Sequence, residues 1–403
     1  MDFLWGIIGI LSVLGIAFVL SSERKAVKWR IILSGLSVQI IFAFIVLKWE
    51  YGREKLMQLS EGVQKLIGYA NEGIVFVFGG LADAEKVGFV FAMSVLTIII
   101  FFSSLIAVLY YLGIMQLIIK IIGGFLSKVL GTTKAESVNA AANIFVGQTE
   151  APLVIRPFLK KMTKSQMFAV MTGGLASVSG SVLVGYSLLG VPLEYLLAAS
   201  FMAAPAGLIM AKLMIPETEE VDEADFKLER NSDATNVIDA AAMGASDGLK
   251  LAVNVGAMLL CFIALIALLN GLLGGVAGIF GYENVTLEGI LGYVFAPLAF
   301  VIGVPWDEAV RAGSFIGQKL ILNEFVAYSN FGPVIGEFSD KTGIIISFAL
   351  CGFANLSSMG ILIGGLGGMA PEKRSMIASL AVKAVIAGTL ASLLSAAIAG
   401  MFL

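Results

Sequence analysis

Histidine is absent from all 403 residues, cysteine occurs twice, and only 14% of the residues are charged. Each scarcity excludes something. Without histidine there is no imidazole proton relay, and the usual ligand of zinc sites is missing. Cys261 and Cys351 both lie in apolar runs, so no disulfide framework is expected. A charged fraction this far below the ~25% of soluble domains excludes a water-soluble globule. The net charge of −3 is small and says nothing about nucleic acid; no nucleic-acid partner is expected. Metal clusters, nucleophile motifs and nucleotide-binding loops are also missing, so neither an enzyme nor a bound cofactor is expected.

What is present is apolar: 58% of the chain is hydrophobic, in long runs from end to end. Such runs make α-helical spans, whereas a membrane barrel would alternate polar and apolar residues. The 46 glycines suit close helix packing and broken helices. The expected class is an all-α polytopic membrane protein with eight transmembrane helices. They are Phe3–Leu20, Ile31–Leu47, Phe89–Leu112, Phe168–Leu189, Tyr195–Met214, Leu249–Leu273, Ile344–Leu366 and Ile377–Leu403. The first lacks a basic leader and an A-x-A-like cleavage site, which makes it a retained span. Glu54–Ile67 has helical apolar spacing between charges and reads as an amphipathic helix at the outer surface. Gln116–Leu130 and Leu287–Val304 read as interfacial helices. The loop over residues 216–233 is acidic and reads as a solvated linker.

One stretch breaks the apolar pattern: NIFVGQTEAPLVIRPF, Asn143 to Phe158. It places Gln148, Thr149 and Glu150 at membrane depth, where a carboxylate costs roughly 2.5–3.5 kcal/mol and therefore tends to line a cavity. Charge counting fixes its path. The segment holding Arg24, Lys25, Lys28 and Arg30 and the segment holding Arg156, Lys160, Lys161 and Lys164 are both basic, so both are expected in the cytoplasm. Two spans already separate them, so residues 135–158 must enter and leave on one side as a re-entrant hairpin. The same count puts both termini outside.

The chain also resembles itself. LGTTKAESV from Leu130 aligns with IGVPWDEAV from Ile302, and GLASVSG from Gly174 aligns with GFANLSS from Gly352, at shifts of 172 and 178. An odd number of spans lies between the two hairpins, so this is an inverted internal repeat, with the second re-entrant hairpin at Glu308–Phe331 carrying Asn323 and Glu324. Inverted repeats with discontinuous helices place a substrate site near the midplane. The residues alone leave a carrier and a pore open, because polar hairpins also build selectivity filters.

On NIFVGQTEAPLVIRPF, GLASVSGSVLVGY, NEFVAYS and CGFANLSS, the chain resembles the concentrative nucleoside transporter family in its shorter bacterial form. The resemblance covers essentially the whole chain. It implies a homotrimer in the bacterial inner membrane that takes up nucleosides, uridine-like pyrimidines and some purines, by cation-driven alternating access. It divides the chain into scaffold residues 1–114 and 248–280, transport repeats 115–215 and 281–403, and the acidic loop 216–247. It implies that Gln148, Thr149 and Glu150 face the nucleobase with Val182 packed against it, that Glu324, Asn355 and Ser358 hold the ribose hydroxyls, and that Phe353 adds an apolar contact. It implies a sodium site from the side chains of Asn143 and Ser177 and the carbonyls of Val146 and Val178. A proton carried by Glu150 or Glu324, or another small polar solute in place of the nucleoside, is the alternative.

Overall fold

A computed structural model describes residues 2–82, 87–221, 234–282 and 285–402. Among these, every regular element is helical. The first part comprises α1 (Asp2–Val19), α2 (Trp29–Ala43, continued by a π-turn to Lys48), α3 (Glu50–Phe78) and α4 (Thr97–Tyr111, preceded by a π-turn from Ala92). The first repeat contains α5 (Ile114–Leu130), α6 (Lys134–Ala142), α7 (Lys164–Ala176), α8 (Gly180–Ser187) and α9 (Leu193–Met214). Then come α10 (Val237–Ile279) and the second repeat: α11 (Leu287–Val301), α12 (Trp306–Ile321), α13 (Glu324–Phe331), α14 (Asp340–Leu350), α15 (Ser358–Met369) and α16 (Arg374–Gly400).

Among the described residues, six helical segments are long and apolar enough to span a membrane; with Phe3–Val19 and the broken pair α14 and α15 they account for the eight expected spans. Two predicted spans are discontinuous. Phe168–Leu189 is realised as α7 and α8 around a break at Ser177–Ser179, and Ile344–Leu366 as α14 and α15 around a break at Cys351–Ser357. Three boundaries are corrected. The outer amphipathic helix extends to 29 residues, because the apolar period continues beyond Ile67. The sixth span is 43 residues long, so residues 237–247, assigned above to the acidic loop, are helical. Asn236 caps this helix by accepting from the Asp239 N–H at 2.9 Å, and Gly244 and Gly248 bring its first turns against Ser103, Ala107 and Ile100 of α4. The second interfacial helix ends at Val301 and bends by 116° into α12.

The repeat is visible in how its parts begin and end. Each interfacial helix stops at a glycine in the left-handed region, Gly131 at φ 76° and Gly303 at φ 114°, a conformation that carries almost no penalty only without a Cβ. Past Gly131, Thr133 and Glu136 form a reciprocal capping box that starts α6, satisfying backbone donors a helix start leaves open. Glu136 is buried and pairs with Lys212 of α9, whose ammonium also donates to Ser165 at 2.9 Å. The base of the first hairpin is thereby tied to two spans. In the second repeat the matching carboxylate, Glu308, accepts from the Ser339 N–H and Oγ, both at 2.8 Å.

Burial separates two regions. The apolar windows of the α7–α8 and α9 spans are 94% and 89% enclosed within the molecule, whereas those of α4 and α10 are each 22% enclosed. The repeats therefore form the core, and the sixth and third spans flank it with faces left to lipid or to other copies.

Candidate functional site

The two broken spans cross at their breaks. The Phe353 N–H donates to the Ser177 carbonyl at 3.1 Å. A Cβ on Gly352 would lie 2.9 Å from the Ala176 carbonyl oxygen and 2.7 Å from Ser392 Oγ, so only glycine admits this approach. The first hairpin reaches the crossing too, because the Gly180 N–H donates to the Phe145 carbonyl at 2.9 Å. A Cβ at Gly174 would press on Gln148. The glycines matched between the repeats thus both stand where backbone approaches closely.

Around this crossing lies a cavity of about 1120 Å³, slightly above the ~300–1,000 Å³ typical of small-molecule sites. Every expected substrate residue lines it: Gln148, Thr149, Glu150, Val182, Glu324, Phe353, Asn355 and Ser358. Its lining continues from the hairpin tips to Arg156, Ala234 and Asp247, at the end of the bundle that carries the second basic segment.

The second hairpin supplies an ordered carboxylate. Asn323 caps α13 by accepting from the Val326 N–H at 2.9 Å, which puts Glu324 in the first turn, where the helix dipole favours an anion. Glu324 is buried. Its Oε1 accepts from Tyr186 Oη at 3.3 Å, and its Oε2 from Asn355 Nδ2 at 2.8 Å. Asn355 is itself fixed, its Oδ1 accepting from Ser357 Oγ at 2.6 Å, the Ser358 N–H at 2.9 Å and Ser358 Oγ at 3.1 Å. A carboxylate has about four acceptor positions, so Glu324 retains capacity for hydroxyls entering from the cavity.

The first hairpin is arranged differently. Gln148 is buried and its Oε1 has no partner. Glu150 is exposed to the cavity, its carboxylate folded back over Gly147. Thr149 packs its methyl against Gly365 of α15. The four residues of the expected cation site, Asn143, Ser177, Val146 and Val178, are all buried, and Gly173, whose carbonyl Ser177 meets, lies beside the Asn143 amide. Asn143 Nδ2 donates to the Asn139 carbonyl at 3.0 Å, while its Oδ1 has no partner. Ser177 Oγ donates to the Gly173 carbonyl at 3.0 Å, leaving its lone pairs available. Unpartnered amide and hydroxyl oxygens at the broken end of a helix suit a hard monovalent cation. Among the described residues no cluster of histidine, cysteine and carboxylate ligands for a transition metal occurs.

Several residues that shape the site were not singled out from the sequence. Tyr186 holds Glu324 and stacks on Tyr328, with ring centroids 4.4 Å apart. Its signal was available, a phenol in the apolar GSVLVGY half-helix. Ser357 sits beside residues that were named, and its role, like the capping role of Asn323, depends on local geometry that spacing does not reveal. Asn254 and Ser181 also line the cavity.

Comparisons agree with this architecture. Three family models together match most of the chain: "Na+ dependent nucleoside transporter N-terminus" over residues 8–81, "Nucleoside recognition" over 92–192, and "Na+ dependent nucleoside transporter C-terminus" over 195–400. The uncharacterized transporter YutK of Bacillus subtilis is 62% identical over the full length of both chains. The nucleoside permease NupC of Helicobacter pylori is 51% identical, covering 99% of this chain and 98% of its own. The solved structure of CNTnw in an inward-facing substrate-bound state matches with a TM-score of 0.95 at 54% identity, over 100% of this chain and 98% of that one.

Proposed function

We propose, from the premise that the chain belongs to the Na+ dependent, concentrative nucleoside transporter family, that it takes up nucleosides in symport with sodium by alternating access. It is a transporter, not an enzyme, as its relatives are. The observation that carries the substrate reading is the Glu324 array, in which one buried carboxylate is held by Tyr186 and Asn355 beside a cavity reached by both hairpin tips. A carboxylate accepting from two vicinal hydroxyls, with Asn355 and Ser358 as neighbours, suits ribose. Gln148, Thr149 and Glu150, with Val182 and Phe353 as apolar walls, meet the base. Gln148 offers both donor and acceptor to a base edge. This division accommodates uridine-like pyrimidine nucleosides and some purine nucleosides, since the sugar is shared.

Sodium is supported by the unpartnered Oδ1 of Asn143 and by Gly173, which adjoins the Asn143 amide and accepts from Ser177 Oγ. The extension of the cavity to Arg156 and Asp247 supports an inward-facing state, with the basic segments in the cytoplasm of a bacterial inner membrane and both termini outside. The largely unenclosed apolar faces of α4 and α10 support a homotrimer built on the scaffold spans. The test is radiolabelled uridine uptake into proteoliposomes, with sodium and proton gradients imposed separately. Accumulation against a gradient driven by sodium is expected. Equilibration without accumulation would identify a pore, and accumulation with the proton gradient alone would reassign the coupling ion.

A further inference from the structure

One buried charge has no part in the account above. Lys319, in the last turn of α12, is 1% exposed. Among the described residues it forms no ion pair; its Nζ donates instead to the Ala349 carbonyl at 2.8 Å and to Ser392 Oγ at 3.1 Å. An ammonium buried on neutral acceptors is costly, so its position needs a reason.

The inverted repeat supplies one. In the first repeat, α7 ends at Ala176 and hairpin 1 lays Asn143 beside Gly173 in its last turn, with the unpartnered Asn143 Oδ1 where the sodium reading puts the cation. In the second repeat, α14 ends at Leu350 and hairpin 2 lays Lys319 against that end. Both are first halves of broken spans, and the C-terminal end of a half-helix carries unsatisfied carbonyls and negative dipole. Ser392 also donates to the Cys351 carbonyl at 3.3 Å, so Lys319 joins hairpin 2, the end of α14 and α16 at one point. Glu324 follows five residues later on the same hairpin.

We propose that Lys319 is a built-in counterpart of the coupling cation: its ammonium fills in the second repeat the place that a dissociable ion fills in the first. Hairpin 2 is therefore permanently fastened to α14 and α16, and Glu324 is presented to substrate whether or not sodium is present. Hairpin 1 is fastened only when its ion is bound. One repeat carries the constant half of the site and the other the ion-dependent half. This rests on the sodium reading of the first repeat.

The test is equilibrium binding of radiolabelled uridine to purified protein in lipid nanodiscs across a sodium titration. The parent is compared with Lys319→Arg, Lys319→Met and Lys319→Asn. Lys319→Met keeps the stem and removes the charge; its uridine affinity at saturating sodium should fall at least ~10-fold, while Lys319→Arg stays within ~3-fold. Lys319→Asn leaves an oxygen and room for an ion, and its uridine binding should rise more steeply with sodium than the parent's. A purely structural lysine would not change that slope. Parent affinity in Lys319→Met, or a parent slope in Lys319→Asn, would overturn the proposal. Should Lys319→Met fail to fold, the slope of Lys319→Asn decides. A parent that binds uridine independently of sodium would instead overturn the sodium reading and this inference with it.

Discussion

The two hairpins differ in how fully their polar atoms are paired. At hairpin 2 and the α14–α15 break it meets, both oxygens of Glu324 accept hydrogen bonds, Asn355 Oδ1 accepts three, and Lys319 has acceptors. In hairpin 1, Asn143 Oδ1, Gln148 Oε1 and both side-chain polar atoms of Asn139 are buried without partners. Buried polar atoms are rarely left unpaired, because each costs roughly 1–3 kcal/mol. One hairpin is thus satisfied by partners within the chain and the other is not, the pattern expected of one preformed half-site and one completed by what binds. On the proposed function, ribose recognition would be of the first kind, and the ion and the base of the second.

Substitutions on the satisfied side should break the comparison most strongly. Glu324→Gln places an amide opposite the donors of Asn355 and Tyr186 and removes the charge. Uridine uptake into proteoliposomes should fall ~100-fold or more, consistent with ~3 kcal/mol for charged hydrogen bonds. Uptake at the parent rate would remove Glu324 from the ribose site. Gly352→Ala puts a methyl 2.9 Å from the Ala176 carbonyl, at the crossing that both halves share. Overpacking of this kind costs about 1–3 kcal/mol, to be read as a lower midpoint of thermal unfolding in detergent together with loss of uptake.

On the unsatisfied side the effects should be smaller and specific. Asn143 donates one side-chain hydrogen bond, to Asn139, so Asn143→Ala disturbs little besides the oxygen proposed for the cation. The sodium concentration for half-maximal uptake should rise ~10-fold, worth ~1.4 kcal/mol, with maximal uptake at saturating sodium largely kept. An unchanged sodium midpoint would remove Asn143 from the ion site. Ser357→Ala, on the satisfied side, is the mildest of all. It removes one of three donors to Asn355 Oδ1, and a ~2–5-fold loss of uridine affinity is expected from ~0.5–1 kcal/mol.

Much of this comparison was legible in the sequence. The spans follow from apolar length, and the hairpins from basic segments that must share one side of the membrane. The repeat follows from Gly131 with Gly303 and Gly174 with Gly352, and all four glycines have identifiable backbone roles in the structure. The carboxylates at the hairpin tips were visible because a charge at membrane depth is conspicuous. What stayed hidden was pairing. No spacing rule says that Tyr186 reaches Glu324 across 138 residues of chain, or that Lys319 ends on the carbonyl of Ala349 rather than on an acid. Helix ends set by packing were hidden too. The extension of α10 to Val237 depends on Gly244 and Gly248 fitting against α4, and the charges in that stretch masked it as linker.

The central claim is that sodium completes hairpin 1 and so organises the base end of the nucleoside site, which begins five residues after Asn143 at Gln148. The direct measurement is the uridine dissociation constant of the purified protein with saturating sodium and with sodium replaced by choline. The account predicts binding at least ~10-fold tighter in sodium, a coupling of ~1.4 kcal/mol or more. Equal affinities in the two conditions would contradict it.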